Sequence, residues 1–332
     1  SPNIVSKRWV YEQYDSMVRT NTVVLPGSDA AVMKIKKSEK LLAIKTDCNA
    51  RYVYLNPRKG GAIAVAESAR NVVCSGGKPI AITNCLNFGN PYKPEVYWQF
   101  KEAVAGMGEA CIAFETPVTG GNVSFYNESP QASVFPTPTI GMLGLIDKPE
   151  HVTTANFKSE GDLIYLLGTN RGDISGSEFL SQQYGLTVGD APFFDLSDEL
   201  KIQECCLELI RNNVIKSAHD ISDGGLIVSL IESAIAGKRL FGFNVTIPTG
   251  TQPLYKILFG EEQSRIILSV DAVKETQLIK GCSQRGVQLT KLGIVVLNAT
   301  GNINGEISLD MKKASDLYFN TIHRKVAKNF VA

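Results

Sequence analysis

Apolar and polar positions follow two periods along this chain, and the changes of period predict its elements. After a polar, aromatic lead-in through about Thr20, Ala30–Lys36 and Leu41–Thr46 alternate or run apolar between charged clusters, as strands of a half-buried sheet do. Gly61–Cys74 shifts to steps of three and four, with Ile63, Ala66, Ala69, Val72 and Val73 on one helical face, and Gly76-Gly77 before Lys78-Pro79 ends it. Pro79–Asn84 follows as a short buried strand. Pro94–Ala113 carries a second helical face of Val96, Phe100, Val104, Met107 and Cys111, then a strand-like run ends in Gly120-Gly121, and Ile140–Ile146 is a further strand. Strands and helices alternate through this half, which predicts a sheet covered by helices on one face.

The pattern breaks into Pro, Thr, Asn and Lys around Asp147–Gly161, a linker. The expected division is a lead-in at 1–20, one domain at 21–150 and a second at 151–332. The second opens with a strand at Leu163–Gly168 and a long polar loop, continues with helices near Asp198–Asn212 and Gly225–Ala236, and has strands near Phe243–Ile247, Arg265–Val270 and Leu292–Leu297. No tandem repeat interrupts it.

Composition narrows the function classes. The 332 residues suffice for two cores, and 34 Lys+Arg against 33 Asp+Glu leave a net charge of +1. With no long-range field to attract nucleic acid or an anionic membrane, neither is an expected partner, and a phosphate ligand must be held by local groups. The seven cysteines form no Cys-x-x-Cys and mostly interrupt apolar runs, so they read as reduced core residues of a cytoplasmic protein. No apolar run approaches the ~20 residues of a membrane span. The start at Ser1 lacks both a secretory layout and an initiator Met, so the chain reads as a piece of a longer polypeptide.

Five segments could carry chemistry. Thr116-Pro-Val-Thr-Gly-Gly-Asn-Val-Ser-Phe-Tyr-Asn-Glu128 places a flexible glycine pair before Asn122, Ser124, Asn127 and Glu128, oxygens that suit a magnesium nucleotide; the same residue types also build ordinary hairpin turns. Lys45-Thr-Asp-Cys-Asn49, with Asn56-Pro-Arg-Lys-Gly-Gly61 opening a helix, offers a strand-end carboxylate and a helix N-terminus to an anion and its metal, or else a capped turn with Asp47 at the surface. Ser217-Ala-His-Asp-Ile-Ser-Asp-Gly-Gly225 puts Asp220 and Asp223 where a helix begins, as caps or as Mg²⁺ ligands, and His219 reads as structural. In Leu258-Phe-Gly-Glu-Glu-Gln-Ser-Arg265, spacing favours pairing of Glu261, Glu262 and Arg265 in a solvated turn. The three amides of Ile82-Thr-Asn-Cys-Leu-Asn-Phe-Gly-Asn-Pro91 read as loop builders ahead of ligand contacts. There is no Walker lysine loop, nucleophile elbow or Rossmann fingerprint.

Seven ordered motifs together resemble the formylglycinamidine ribonucleotide synthetase (phosphoribosylformylglycinamidine synthase) family of purine biosynthesis, specifically the second of its two homologous halves. They are Arg8-Trp-Val-Tyr-Glu-Gln-Tyr-Asp15, Thr46-Asp-Cys-Asn49, Ala66-Glu-Ser-Ala-Arg-Asn71, Cys85-Leu-Asn-Phe-Gly-Asn-Pro91, Gly121-Asn-Val-Ser-Phe-Tyr-Asn-Glu128, His219-Asp-Ile-Ser-Asp-Gly-Gly-Leu226 and Phe259-Gly-Glu-Glu262. The resemblance implies an α/β (α+β) fold like that of aminoimidazole ribonucleotide synthetase, with an amino-terminal barrel-forming sheet domain and a carboxy-terminal α/β domain. It also implies a reaction in which ATP phosphorylates the amide oxygen of formylglycinamide ribonucleotide and ammonia displaces the phosphate.

By the same resemblance ATP and Mg²⁺ are the cofactors, Gly121 touches ATP, Asn122 is a magnesium ligand and Ser124 contacts the ribonucleotide. A second ATP contact, an aspartate in the family, falls at Asn84, which keeps the acceptor oxygen without the charge. Asp47, Asn71 and Asp220 would line an auxiliary nucleotide or metal site. The family's general-base histidine belongs to the other half, so no catalytic residue is expected here. The implied partners are the amino-terminal half of the same synthetase, a glutaminase subunit and a small accessory subunit, and the isolated chain is expected to be inactive and to self-dimerise. Two alternatives remain: a stand-alone synthetase resembling those for aminoimidazole ribonucleotide or selenophosphate, disfavoured because Asp47-Cys-Asn-Ala-Arg-Tyr replaces their Asp-Gly-Val-Gly-Thr-Lys, or a non-catalytic nucleotide-binding scaffold, favoured by Asn84.

Overall fold

The computed structural model describes residues 1–330. A short helix α1 (Arg8–Tyr11) precedes a sheet built from β1 (Thr22–Val24), β2 (Ala31–Lys34), β3 (Leu41–Asp47), β4 (Lys78–Asn87), β5 (Val118–Ser124) and β6 (Thr137–Ile146), ordered β1-β2-β3-β6-β4-β5. Helices α2 (Ala50–Leu55) and α3 (Pro57–Cys74) join β3 to β4, and α4 (Pro94–Ala113) crosses over between β4 and β5, which makes that pair the one parallel ladder of the sheet.

Both long helices lie on one face, as expected from the alternation. On β6 the helix-side residues Ile140, Met142 and Ile146 are buried, while Thr139, Gly141, Leu143 and Leu145 on the opposite face are only half-buried. Ile44, beside them on β3, is 39% exposed, so this face is open and largely apolar. The edge strand β5 is exposed along nearly its whole length.

The second sheet takes the order β13-β12-β9-β11-β7-β10-β8. Its strands are β7 (Leu163–Leu167), β8 (Ile215–Asp220), β9 (Gly242–Val245), β10 (Ile266–Val270), β11 (Leu289–Val296), β12 (Thr300–Ile303) and β13 (Ile307–Asp310). The helices of this part are α5 (Glu178–Tyr184), α6 (Leu196–Arg211), α7 (Gly225–Ile235), α8 (Leu254–Phe259), α9 (Glu275–Gln284) and α10 (Met311–Phe330). Every residue of β7 and β10 is buried, because Leu163, Tyr165, Leu167, Ile266 and Leu268 pack toward α6 and α9, and Ile164, Leu166 and Ile267 pack with α7 on the other side. Among the described residues no helix is long and apolar enough to cross a membrane.

Four expectations change. The helix read as one-faced is buried on 16 of its 18 residues, because α3 lies between the first sheet and α6 with β8. The Gly120–Ser124 segment is not a loop but most of β5, and Cys85–Asn87 belongs to β4, because the parallel ladder pairs Asn84 with Gly121 and Asn87 with Ser124. Asp220 closes β8 rather than opening a helix, and α7 begins at Gly225. Glu261, Glu262 and Arg265 are each 0% exposed, not a solvated turn. No element was expected between Val270 and Leu292 or beyond Leu297, where α9, β12, β13 and α10 lie.

Candidate functional site

Three element ends meet at an acidic centre. β3 ends in Asp47, α3 presents Glu67, Arg70 and Asn71 at steps of three and one, and β8 ends in Asp220 ahead of the turn that carries Asp223. Asn71 joins the first and last of these: its Nδ2 donates to Asp220 Oδ2 at 3.0 Å and lies 3.4 Å from Asp47 Oδ2. The structure thus brings Asp47, Asn71 and Asp220 together.

Arg70 holds this centre from below. Fully buried, it directs Nε at Asp220 Oδ1, Nη1 at both Glu199 oxygens at 2.8 Å, and Nη2 at Gln263 Oε1 at 2.7 Å. Glu199 is completed by Gln203 Nε2 at 2.7 Å and Ser264 Oγ at 2.5 Å. A planar fork with five donors suits this multidentate task in a way a lysine cannot. His219, next to Asp220, is clamped between Asp29 (2.9 Å from Nδ1) and Glu232 (3.0 Å from Nε2). Burial works against its imidazolium, but Asp29 and Glu232 outweigh that and hold it well above the usual histidine range.

The carboxylates outnumber their cations. Burial, with Asp220 and Asp223 adding repulsion against the relief from Lys45, pushes Asp47 up to about 6. Glu67 is raised well above its ordinary value by burial and by Asp47 and Asp220. Burial also raises Asp220 and Asp223, despite Arg70 beside the first and Arg51 beside the second. These groups line a cavity of about 490 Å³, closed on one side by Asn3, Lys7 and Tyr11 of the lead-in. Such surplus negative charge fits a divalent cation, which uses one or two carboxylates and leaves other positions to water or phosphate. Among the described residues no group of three or more His, Cys, Asp or Glu is preassembled to hold a metal by itself.

The other candidates sit across the same sheet. Asp47 pairs with Ile140, Ile140 with Asn84, and Asn84 with Gly121, so all four occupy one row over β3, β6, β4 and β5. With strands ~4.8 Å apart, Asp47 and Gly121 stand roughly 14 Å from each other along it. Gly121 must be glycine, since at its φ of 156° a Cβ would fall 2.2 Å from Asn84 Oδ1 and 2.5 Å from the Asn84 carbonyl oxygen. Asn122 follows on the exposed edge, opposite Cys85, and Ser124 opposite Asn87. Among the described residues the Asn84 amide has no hydrogen-bond partner, unlike Asn87 and Asn90, which bond within the loop and strand.

Asn127 and Glu128 are engaged locally. Asn127 Nδ2 donates to Phe88 O at 3.0 Å, and Glu128 accepts from Lys93 at 2.9 Å and from Ser133 at 3.0 Å. Asn49 and Asn56 cap α2 and α3, as the capped-turn alternative has it, while Asn49 also donates to Asp223 at 2.7 Å.

Two family models match the chain in sequence: residues 27–146 that of AIR synthase related protein, N-terminal domain, and residues 159–303 that of AIR synthase related protein, C-terminal domain. The chain belongs to the AIR synthase related family. Within that family it is similar to the phosphoribosylformylglycinamidine synthase subunit PurL of Chlorobaculum tepidum, 54% identical over 279 residues, covering 81% of this chain and 37% of the relative. That bears out the resemblance read from the seven motifs. The chain spans about two fifths of the length of the curated relatives it matches.

Among solved structures, Thermotoga maritima PurL complexed with ADP matches with a TM-score of 0.71 at 16% identity, over 92% of this chain and 49% of that one. The PurLQS assembly of the same organism matches with a TM-score of 0.66 at 15% identity, over 88% and 46%. At these identities the likeness shows the AIR synthase related fold.

Arg70, Glu67, Glu199 and Asp29 escaped the sequence reading as site residues. Arg70 had a signal: it is the one cation between Gly60 and Cys74, a stretch of mainly small and apolar residues, where a long charged side chain must find acids. Asp29 and Glu199 had none, since their partners His219 and Arg70 are 190 and 129 residues away.

Proposed function

We propose that this chain is the carboxy-terminal half of a phosphoribosylformylglycinamidine synthase subunit, an ATP-dependent C–N ligase, and that it supplies part of a site completed by the amino-terminal half. The supporting observation is the β4–β5 ladder, where the Asn84 amide, without a hydrogen-bond partner among the described residues, faces an obligatory glycine at Gly121 on an open sheet edge. Gly121 and Asn84 contact ATP in this reading, Asn122 contributes an oxygen to Mg²⁺, and Ser124 meets the ribonucleotide. Asp47, Asn71 and Asp220 form an auxiliary nucleotide or metal site, for which the surplus charge at Asp47 and Asp220 is the support. Bound there, Mg²⁺ would neutralise phosphate and carboxylate charge together.

The chemistry asked of this half is positioning. The substrate amide oxygen attacks the γ-phosphorus of ATP and releases ADP; ammonia then adds to the activated carbon, and phosphate leaves. Both steps gain more from aligned reactants and fixed donors than from a nucleophile. The side chains of Asn84, Asn122 and Ser124 are not bases near neutral pH, and in this reading the base comes from the amino-terminal half. The open apolar face of the first sheet, with Ile44, Leu143 and Leu145, is where the amino-terminal half would pair, and where a second copy would pair in its absence. A glutaminase subunit and a small accessory subunit are the further partners, and the seven free thiols fit a reducing cytoplasm.

The test is calorimetry and turnover. The chain alone should bind Mg-ATP or Mg-ADP and show no ligase activity with formylglycinamide ribonucleotide and ammonia, and activity should return when the amino-terminal half is added. Turnover by the chain alone would overturn the half-site reading, and absence of nucleotide heat in the reconstituted pair would overturn the nucleotide assignment.

A further inference from the structure

We propose that Cys205 and Cys282 are a dithiol that exchanges with small disulfides of the glutathione class and closes to a disulfide linking α6 to α9. The two sulfurs lie 3.8 Å apart on adjacent helices, both thiols being free. A disulfide needs ~2.05 Å, so closing the bond asks the two side chains to turn toward each other. The close approach is built in: a Cβ on Gly281 would stand 3.2 Å from Leu209 Cδ2, so glycine lets α9 lie against α6 one residue before Cys282.

Access to the pair is one-sided. Cys205, 1% exposed, forms part of the wall of a surface cavity of about 290 Å³, together with Glu208, Asn212, Lys280, Gly281 and Arg285, whereas the equally buried Cys282 is not among its lining residues. Lys280 suits a ligand bearing carboxylates, as glutathione disulfide does, while Arg285 is held by Glu204 and Glu208. The shared hydrogen bond with Cys282 lowers the Cys205 thiol, with Arg285 adding to the effect against burial, while the same contact and burial raise Cys282. Cys205 is therefore the attacking thiol and Cys282 the resolving one.

The steps balance. Cys205 loses its proton, and its thiolate attacks one sulfur of RS–SR, forming Cys205–S–S–R and expelling RS⁻, which takes up that proton. Cys282 then loses its proton and attacks Cys205 Sγ, forming the intramolecular disulfide and releasing the second RS⁻ as RSH. Two protein thiols are oxidised and one small disulfide is reduced to two thiols. The linked helix α6 also carries Glu199 and Gln203, which surround Arg70 beneath the acidic centre.

The full chain is incubated with glutathione disulfide under native conditions, free thiols are alkylated, and peptides are mapped by mass, with fragmentation between Cys205 and Cys206 to place the sulfur. The expected product has lost two hydrogens and carries a Cys205–Cys282 link that dithiothreitol reverses. In Cys282→Ser a single glutathione should remain on Cys205, and in Cys205→Ser residue 282 should stay unmodified. If the serine variants fail to fold, the map of the unaltered chain decides alone. The inference is overturned if the native chain forms no such link, if Cys205 reacts only after denaturation, or if glutathione rests solely on the half-buried Cys48 and Cys85.

Discussion

Replacing Glu261 by alanine and by glutamine separates what its hydrogen bonds contribute from what its charge costs. The side chain is 0% exposed, and its Oε1 accepts from Gly224 N at 2.7 Å and Glu178 N at 2.9 Å, while Oε2 meets Tyr52 Oη at 2.6 Å. Alanine orphans all three groups; at about 1–3 kcal/mol for each buried unsatisfied group, the loss is roughly 3–6 kcal/mol after some relaxation. Glutamine keeps an oxygen for the two N–H groups and offers an NH₂ to the Tyr52 oxygen, so its cost should stay under about 1 kcal/mol near pH 5. Burial, aided by Asp223, pushes the carboxyl up to about 8 from an ordinary 4.5, against the pull of its three donors. When the carboxyl is protonated, Oε2 is the oxygen left to carry the proton, since Oε1 already accepts two hydrogen bonds. A folded value above the unfolded one means that this stabilisation is present in full below about 4.5 and lost as pH rises toward about 8. Glutamine, which has no proton to lose, should remove that slope and become the more stable variant at the alkaline end by a few kcal/mol, at about 1.4 kcal/mol per pKa unit. The assay is reversible urea unfolding of wild type and both variants across that range. A glutamine variant as unstable as alanine at low pH, or a wild-type-minus-glutamine difference that stays flat with pH, would refute this account.

Arg70→Met should lower stability by about 3–5 kcal/mol, read as a drop in the urea midpoint or loss of soluble protein, because it leaves Asp220 and Glu199 buried without their cation. An unchanged midpoint would mean that these carboxylates are protonated or hydrated instead. Asn84→Asp should tighten Mg-ATP binding by titration calorimetry, on the order of tenfold, the worth of one charge-assisted contact at ~1.4 kcal/mol; no change would remove position 84 from the nucleotide site. Ile44→Lys, on the open face of the first sheet where the side chain is 39% exposed, should shift the isolated chain from dimer to monomer in sedimentation. A wild-type chain that is monomeric at micromolar concentration would count against the pairing face itself.

What was legible in the sequence was whatever a local period decides. β6, as a short apolar run at Ile140–Ile146, and α4, with one apolar stripe, came through because a continuous apolar stretch and a helical spacing both survive in one dimension. β5 did not, because an exposed edge strand has no face to bury, and its Gly, Asn and Ser are the residues of a turn. The Glu261, Glu262 and Arg265 group shows the sharper limit. Those residue types at that spacing are what a solvated turn would also carry. Their burial is made possible by groups far along the chain: Tyr52 for Glu261 at a separation of 209, and the Arg171 and Asp173 amides for Glu262 at 91 and 89. A backbone amide has no sequence signature, so no local reading can supply it. Asp47, Asn71 and Asp220 illustrate the reverse case, since each was placed by motif and Asn71 then joined two strand ends from different sheets. The same contact explains why these carboxylates meet at the join: two sheets that share α3 bring the carboxyl ends of β3 and β8 together, and the fork of Arg70 beneath them answers part of the charge concentrated there.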